Sequence, residues 1–169
     1  MVASRAVLQF EDVHPGDDLP RLAVGPLTTM HLMRWSAAME NWHRIHFDEK
    51  FAVKHDKLPG LLISGSLKQQ FLVQLLKDWA GPTGWLWKVD FQFRKMNIVN
   101  ETLTAWARVM DKADGPGYGL VELEIGIAND SGVDSTPGRA TVALPYRGGP
   151  AVPYPFVPPD RREHSNLAT

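Results

Sequence analysis

The feature that most constrains this chain is a change of hydrophobic period at Gly81-Pro82. Before it, Leu67, Phe71, Leu72, Leu75, Leu76 and Trp79 recur at helical spacing and form one broad apolar face. The spacing predicts a helix over 66–80, about 22 Å long at roughly 1.5 Å per residue. Ser66 and Gln69 have capping-box spacing at its start, and Gly81-Pro82 supplies its stop. After Pro82 the period falls to two. Trp85, Trp87, Val89, Phe91 and Phe93 alternate with Leu86, Lys88, Asp90, Gln92 and Arg94, as in a half-buried strand. Leu103, Ala105, Ala107 and Val109 alternate again, and so do Val121, Leu123, Ile125 and Ile127, with Glu122 and Glu124 facing out. Asn129-Asp130-Ser131-Gly132 reads as a turn, and Ala140, Val142 and Leu144 mark a last strand over 139–144. One long apolar helix followed by antiparallel strands predicts an α+β fold, the helix wrapped by a single curved sheet.

Upstream of that helix the pattern is weaker. The stretch 10–26 is rich in Pro, Gly and Asp, and His14–Asp18 reads as a turn. Leu32, Trp35 and Met39 share a helical stripe, which Thr28 or Thr29 can cap and which should end near Glu40 or Asn41. From Asn41 to Ile63 the chain is irregular, polar and histidine-bearing. A single domain over 1–148 is expected, followed by a Pro-rich tail over 149–169 that reads as extended or disordered. A chain of this length can bury about 70% of its unfolded surface without staples. With no cysteine, disulfides and thiolate metal sites are excluded. A net charge of −1 gives nucleic acid or a charged membrane no bulk attraction. No apolar run approaches the ~20 residues of a membrane span. Met1–Phe10 has no signal-peptide pattern, so a cytoplasmic protein is expected.

The chemistry-bearing residues lie in two places. Asn41-Trp42-His43-Arg44-Ile45-His46-Phe47-Asp48 carries two histidines and a carboxylate. Imidazole titrates near pH 6.5 and serves as acid or base at neutral pH. The same spacing also suits a structural or surface pair, and His43, His46 and Asp48 are acceptable zinc ligands. Asp48 either caps a short helix over 49–53 or orients a histidine. Ser64-Gly65-Ser66 opens the long helix, where unpaired N–H donors and a partial positive charge gather; a nucleophilic Ser64 is the weaker alternative. The Trp85, Trp87 and Phe91 face reads as core or dimer surface.

Taken in order, several segments resemble one family. Phe10–Asp17 resembles the opening strand and turn of MaoC-like hydratases. Asn41–Asp48 resembles their active-site loop, Pro59–Leu67 the lead into their central helix, and Val89–Arg94 with Asn129–Gly132 the strand and hairpin that follow. The resemblance covers about Phe10 to Pro145. It implies a hot-dog fold, usually dimeric, acting without metal or cofactor on CoA or acyl-carrier-protein thioesters. Where the common R-specific pattern has Asp, Asn and Pro, this chain has Asn41, His43 and Arg44, and Ser64 replaces a histidine before the helix. The loop is closer to a subgroup reading Asn-x-His-Arg-Ile-His-Tyr-Asp, as in mesaconyl-CoA hydratase-like proteins.

The resemblance implies a hydratase or dehydratase interconverting an enoyl-CoA and a 3-hydroxyacyl-CoA. His46 matches the family's catalytic histidine, with His43 and Asn41 beside it. Gly65, Ser64, Ser66, Asp48 and Arg94 are expected around the substrate, Arg94 near the CoA phosphates unless it is simply a solvated strand end. Two alternatives stay open. The missing carboxylate at Asn41 permits a non-catalytic subunit in a heteromeric hot-dog hydratase. A hot-dog thioesterase needs a carboxylate near the central helix, and 66–70 offers none. The sequence names neither the acyl group nor the direction of reaction.

Overall fold

The computed structural model describes residues 7–159. Seven elements build it: β1 (Leu22–Val24), α1 (Thr29–Ala38), α2 (Gly65–Ala80), β2 (Trp85–Phe91), β3 (Leu103–Asp114), β4 (Gly119–Asn129) and β5 (Gly138–Leu144). The strands form one antiparallel sheet in the order β1-β3-β4-β5-β2. The sheet curves around α2, the expected hot-dog architecture. Leu67, Phe71, Leu72, Leu75 and Leu76 are buried against Ala105, Ala107, Val109, Val121, Leu123, Ile125, Ala140 and Val142 of the inner sheet face. Helix α2 ends where the sequence requires it, at Gly81, whose φ of +67° lies in the left-handed region that glycine tolerates.

Three details differ from the sequence pattern. Strand β2 does not keep one apolar face. Leu86 pairs with Val142 and Lys88 with Thr141, so Trp87 is the extra residue of a bulge. Leu86, Val89 and Phe91 therefore pack inward on the main core, while Trp85 and Trp87 pack outward with Tyr118, Leu120 and Ala143. Strict alternation cannot hold across an extra residue, because each insertion reverses the side that follows. Second, Phe10–Asp12 is a turn of 3-10 helix rather than an opening strand; the first strand is β1. Third, Met39 is exposed and Ser36 is buried on α1, so the stripe runs through Leu32, Trp35 and Ser36.

The segment 149–159 carries no helix or strand. It lies on the outer face, where Phe156 stacks on Trp85 at 6.1 Å between ring centroids, and the Tyr118 hydroxyl donates to the Val157 carbonyl at 2.6 Å. The expected tail beyond it, 160–169, lies outside the described residues, as do the first six residues of the leader reading.

Candidate active site

The loop between α1 and α2 has little regular structure, so its position depends on cross-links. Arg44–His46 forms one 3-10 turn. The Leu62 N–H donates to the Ile45 carbonyl at 3.0 Å, and the Leu62 carbonyl lies 2.8 Å from His46 Nδ1. A carbonyl only accepts, so Nδ1 carries the proton and Nε2 of the neutral ring holds the lone pair. The His46 ring is buried and fixed two residues before the helix start at Ser64. Leu62 is itself anchored, because its neighbours Leu61 and Ile63 exchange backbone hydrogen bonds with Val99 and Asn97.

The other loop residues surround this anchor. His43 is exposed, with its ring centroid 6.0 Å from that of His46. Asn41 is half-buried, and its Oδ1 accepts from the His43 N–H at 3.2 Å, which shapes the turn into the histidine pair. Asp48 serves the loop rather than a histidine: its carboxylate accepts from the Phe51 N–H at 3.0 Å and pairs with Arg44 at 2.7 Å. The Arg44 hydrogen bond, then the Phe51 N–H, hold its carboxyl below the usual range. The short helix it caps continues as a π-turn over Phe51–His55. Among the described residues no three His, Asp or Glu side chains gather as a metal site.

At the head of α2, Ser64 is buried and is the N-cap residue, but no side chain caps the helix. The predicted Ser66–Gln69 capping box is replaced by a different bond. Ser64 Oγ and Ser66 Oγ lie 2.9 Å apart, and Trp35 Nε1 donates to Ser66 Oγ at 2.8 Å, tying α1 to α2. The N–H groups of Gly65 and Ser66 find no acceptor among the described residues. The Phe93 ring covers Gly65 so closely that a Cβ there would lie 2.6 Å from it, and any larger residue would have to displace that half-exposed ring.

The structure thus brings His46, Ser64, Gly65 and Ser66 together through Leu62, and places His43 and Asn41 alongside. Arg94 is not tied to them: it is exposed, and its N–H donates to the Ser135 carbonyl at 3.0 Å. Sequence reasoning placed Trp35 on the α1 stripe but missed its hydrogen bond to Ser66, and it missed Lys68, which is buried with only 3% exposure. A signal for Lys68 existed, since it stands three and four residues before Phe71 and Leu72, on the apolar stripe itself.

Comparison with known proteins agrees with this fold. A family model for hydroxyacyl-thioester dehydratase type 2 matches residues 18–101, the span that holds the loop and α2. The solved MaoC-like dehydratase from Rhodospirillum rubrum is 18% identical, with 83% of this chain and 98% of that one covered at a TM-score of 0.72. The matched span is just under half of the chain, and the fold is the one shared by the solved MaoC-like hydratases and dehydratases. Two further solved structures of similar fold are the (R)-hydratase from A. caviae involved in PHA biosynthesis and the ChsH1-ChsH2 complex from Mycobacterium tuberculosis. The first is 20% identical over 80% of this chain and 99% of its own, with a TM-score of 0.69. The second is 18% identical over 78% and 98%, with a TM-score of 0.66. No curated protein sequence matches.

Proposed function

We propose that this protein interconverts an enoyl-CoA and a 3-hydroxyacyl-CoA, with His46 as its main acid/base group. The observation that carries this reading is the committed His46 Nδ1, which leaves Nε2 as the one basic atom of a buried, fixed ring. In hydration, Nε2 takes a proton from water as the water oxygen bonds to the β carbon. The π pair of the Cα=Cβ bond moves toward the thioester carbonyl, whose oxygen gains negative charge. The Gly65 and Ser66 N–H groups and the helix dipole stabilise that oxygen, an effect on the order of 3–4 kcal/mol of barrier for one well-aimed donor. A proton then returns to the α carbon from the imidazolium, and the thioester carbonyl re-forms. Dehydration runs the same path backwards. Asn41 cannot take a proton, so it shapes the turn and holds water or an imidazole through its amide, while His43 orients the reacting water. No metal or organic cofactor has a part in this scheme.

The reading also carries a dimer, of two copies or with another hot-dog chain. The second course gains weight because the M. tuberculosis relative was solved as a ChsH1-ChsH2 complex and because Asn41 stands where a carboxylate base is usual. The test is a panel of enoyl-CoAs from crotonyl-CoA upward, followed by loss of enoyl absorbance. Turnover on at least one chain length is expected. Inertness on all of them, with a stable complex formed with an active hot-dog chain, replaces the enzyme by the partner subunit.

A further inference from the structure

Lys68 is an ammonium buried in the first turn of α2, with no carboxylate in ion-pair range among the described residues. That placement is unfavourable twice. Burial strips the charge of water, and the helix dipole opposes a cation at this end. Its Nζ instead donates to the Lys95 carbonyl at 3.1 Å and to Asn97 Oδ1 at 3.0 Å, and lies 5.1 Å from the centroid of the Phe93 ring. Asn97 passes the link on: its Nδ2 donates to Glu101 Oε2 at 2.8 Å, and its carbonyl accepts the Ile63 N–H at 2.8 Å. The chain from Ile63 through Asn97 to Lys68 is therefore a closed ring around Ser64 and Gly65, with Phe93 over Gly65.

We propose that Lys68 is a positioning residue: its ammonium clamps the 93–97 strap onto the head of α2 and so holds the Gly65 and Ser66 N–H donors, and the Phe93 ring above them, where a thioester oxygen is bound. The catalytic part of this rests on the hydratase reading above; the clamp itself does not. A structural cation has cheaper sites than this one, whereas a donor site for a developing oxyanion gains from a nearby fixed positive charge.

Burial lowers the Lys68 ammonium from 10.5 to about 8, opposed by the charges of Glu101, just past the strap, and Asp134 from the β4–β5 turn. Arg94 and Lys95 are the cations on the same strap. The Lys68 charge is thus lost as pH rises through about 8, which places an alkaline limb in kcat there.

The experiment compares wild type with Lys68→Met and Glu101→Gln. On whichever enoyl-CoA of the panel is turned over, Lys68→Met is expected to lower kcat by about 10²-fold with KM nearly unchanged, and to abolish the alkaline limb. Glu101→Gln removes a charge that supports the ammonium, so the limb moves to lower pH. Amide hydrogen exchange at Ile63, whose N–H donates to the Asn97 carbonyl, should quicken in Lys68→Met. Unchanged kcat and pH profile in Lys68→Met overturn the catalytic role, and unchanged exchange overturns the clamp. If Lys68→Met does not fold, the Glu101→Gln limb decides, and no shift overturns the proposal. If wild type turns over no enoyl-CoA, the hydratase reading fails, while exchange in Lys68→Met still decides the clamp.

Discussion

The two ends of α2 obey different rules. Its second half buries Leu72, Leu75, Leu76 and Ala80 among aliphatic side chains, with no buried polar group of its own. Its first turn gathers Ser64, Ser66, Lys68 and, from neighbouring elements, Trp35, His46 and Asn97, all hydrogen-bonded. Apolar packing of the first kind contributes stability in proportion to buried area. The second kind contributes little net stability, because each bond only replaces one to water. It fixes atoms in place instead. A helix that is oily at one end and wired at the other divides holding the fold together from presenting donors to a ligand.

Substitutions at each end should separate these tasks. The largest effect is expected from His46→Ala, which removes the proposed acid/base group: turnover on the enoyl-CoA substrate falls by about 10²–10⁴. Circular dichroism should remain native; a His46→Ala protein of full turnover would remove the functional half of the contrast. At the other end, Leu76→Ala opens a cavity beside the inner sheet face and costs about 2–5 kcal/mol in urea unfolding. The folded fraction keeps its kcat, and a kcat loss matching that of His46→Ala would mean the two ends are not separable. The smallest effect concerns Asp48. Its folded-state carboxyl is held below the usual range, so the stability it adds is present above pH 3.8 and is lost as pH falls through its folded value. Asp48→Asn should therefore flatten the acid side of the stability profile slightly, since Asp48 is solvent-screened. A change at pH 3 as large as that at neutral pH would contradict the assignment.

The apolar end was the legible one. Leu72, Leu75 and Leu76 announce themselves by spacing alone, because burial in a helix leaves a periodic trace. The strands were legible for the same reason, until the bulge at Trp87 turned the aromatic row inside out. Nothing in the period of 85–93 marks an extra residue, since Trp on either face keeps the row apolar. The wired end was only partly readable. His46 stood out by resemblance, but its tautomer depends on a carbonyl sixteen residues away. Lys68 broke the apolar stripe in plain view, yet its acceptors lie on a strap with no periodic signature. Met39 matched the stripe of α1 and is exposed because the helix ends at Ala38 and the chain turns away at Glu40, whose φ is +50°.

The strand order has a consequence for how the chain is made. Strand β2 follows α2 directly, but among the described residues its one partner in the sheet is β5, and Trp85 pairs with Ala143, 58 positions later. During synthesis the oily flank of α2 therefore leaves the ribosome well before the sheet that encloses it is complete. Pairings of such long range delay folding and prolong exposure of apolar surface. The end of the sheet adds a last tie: Phe10 N–H donates to the carbonyl of Pro145, just past β5, so one bond at the beginning of the described chain forms only when its end arrives.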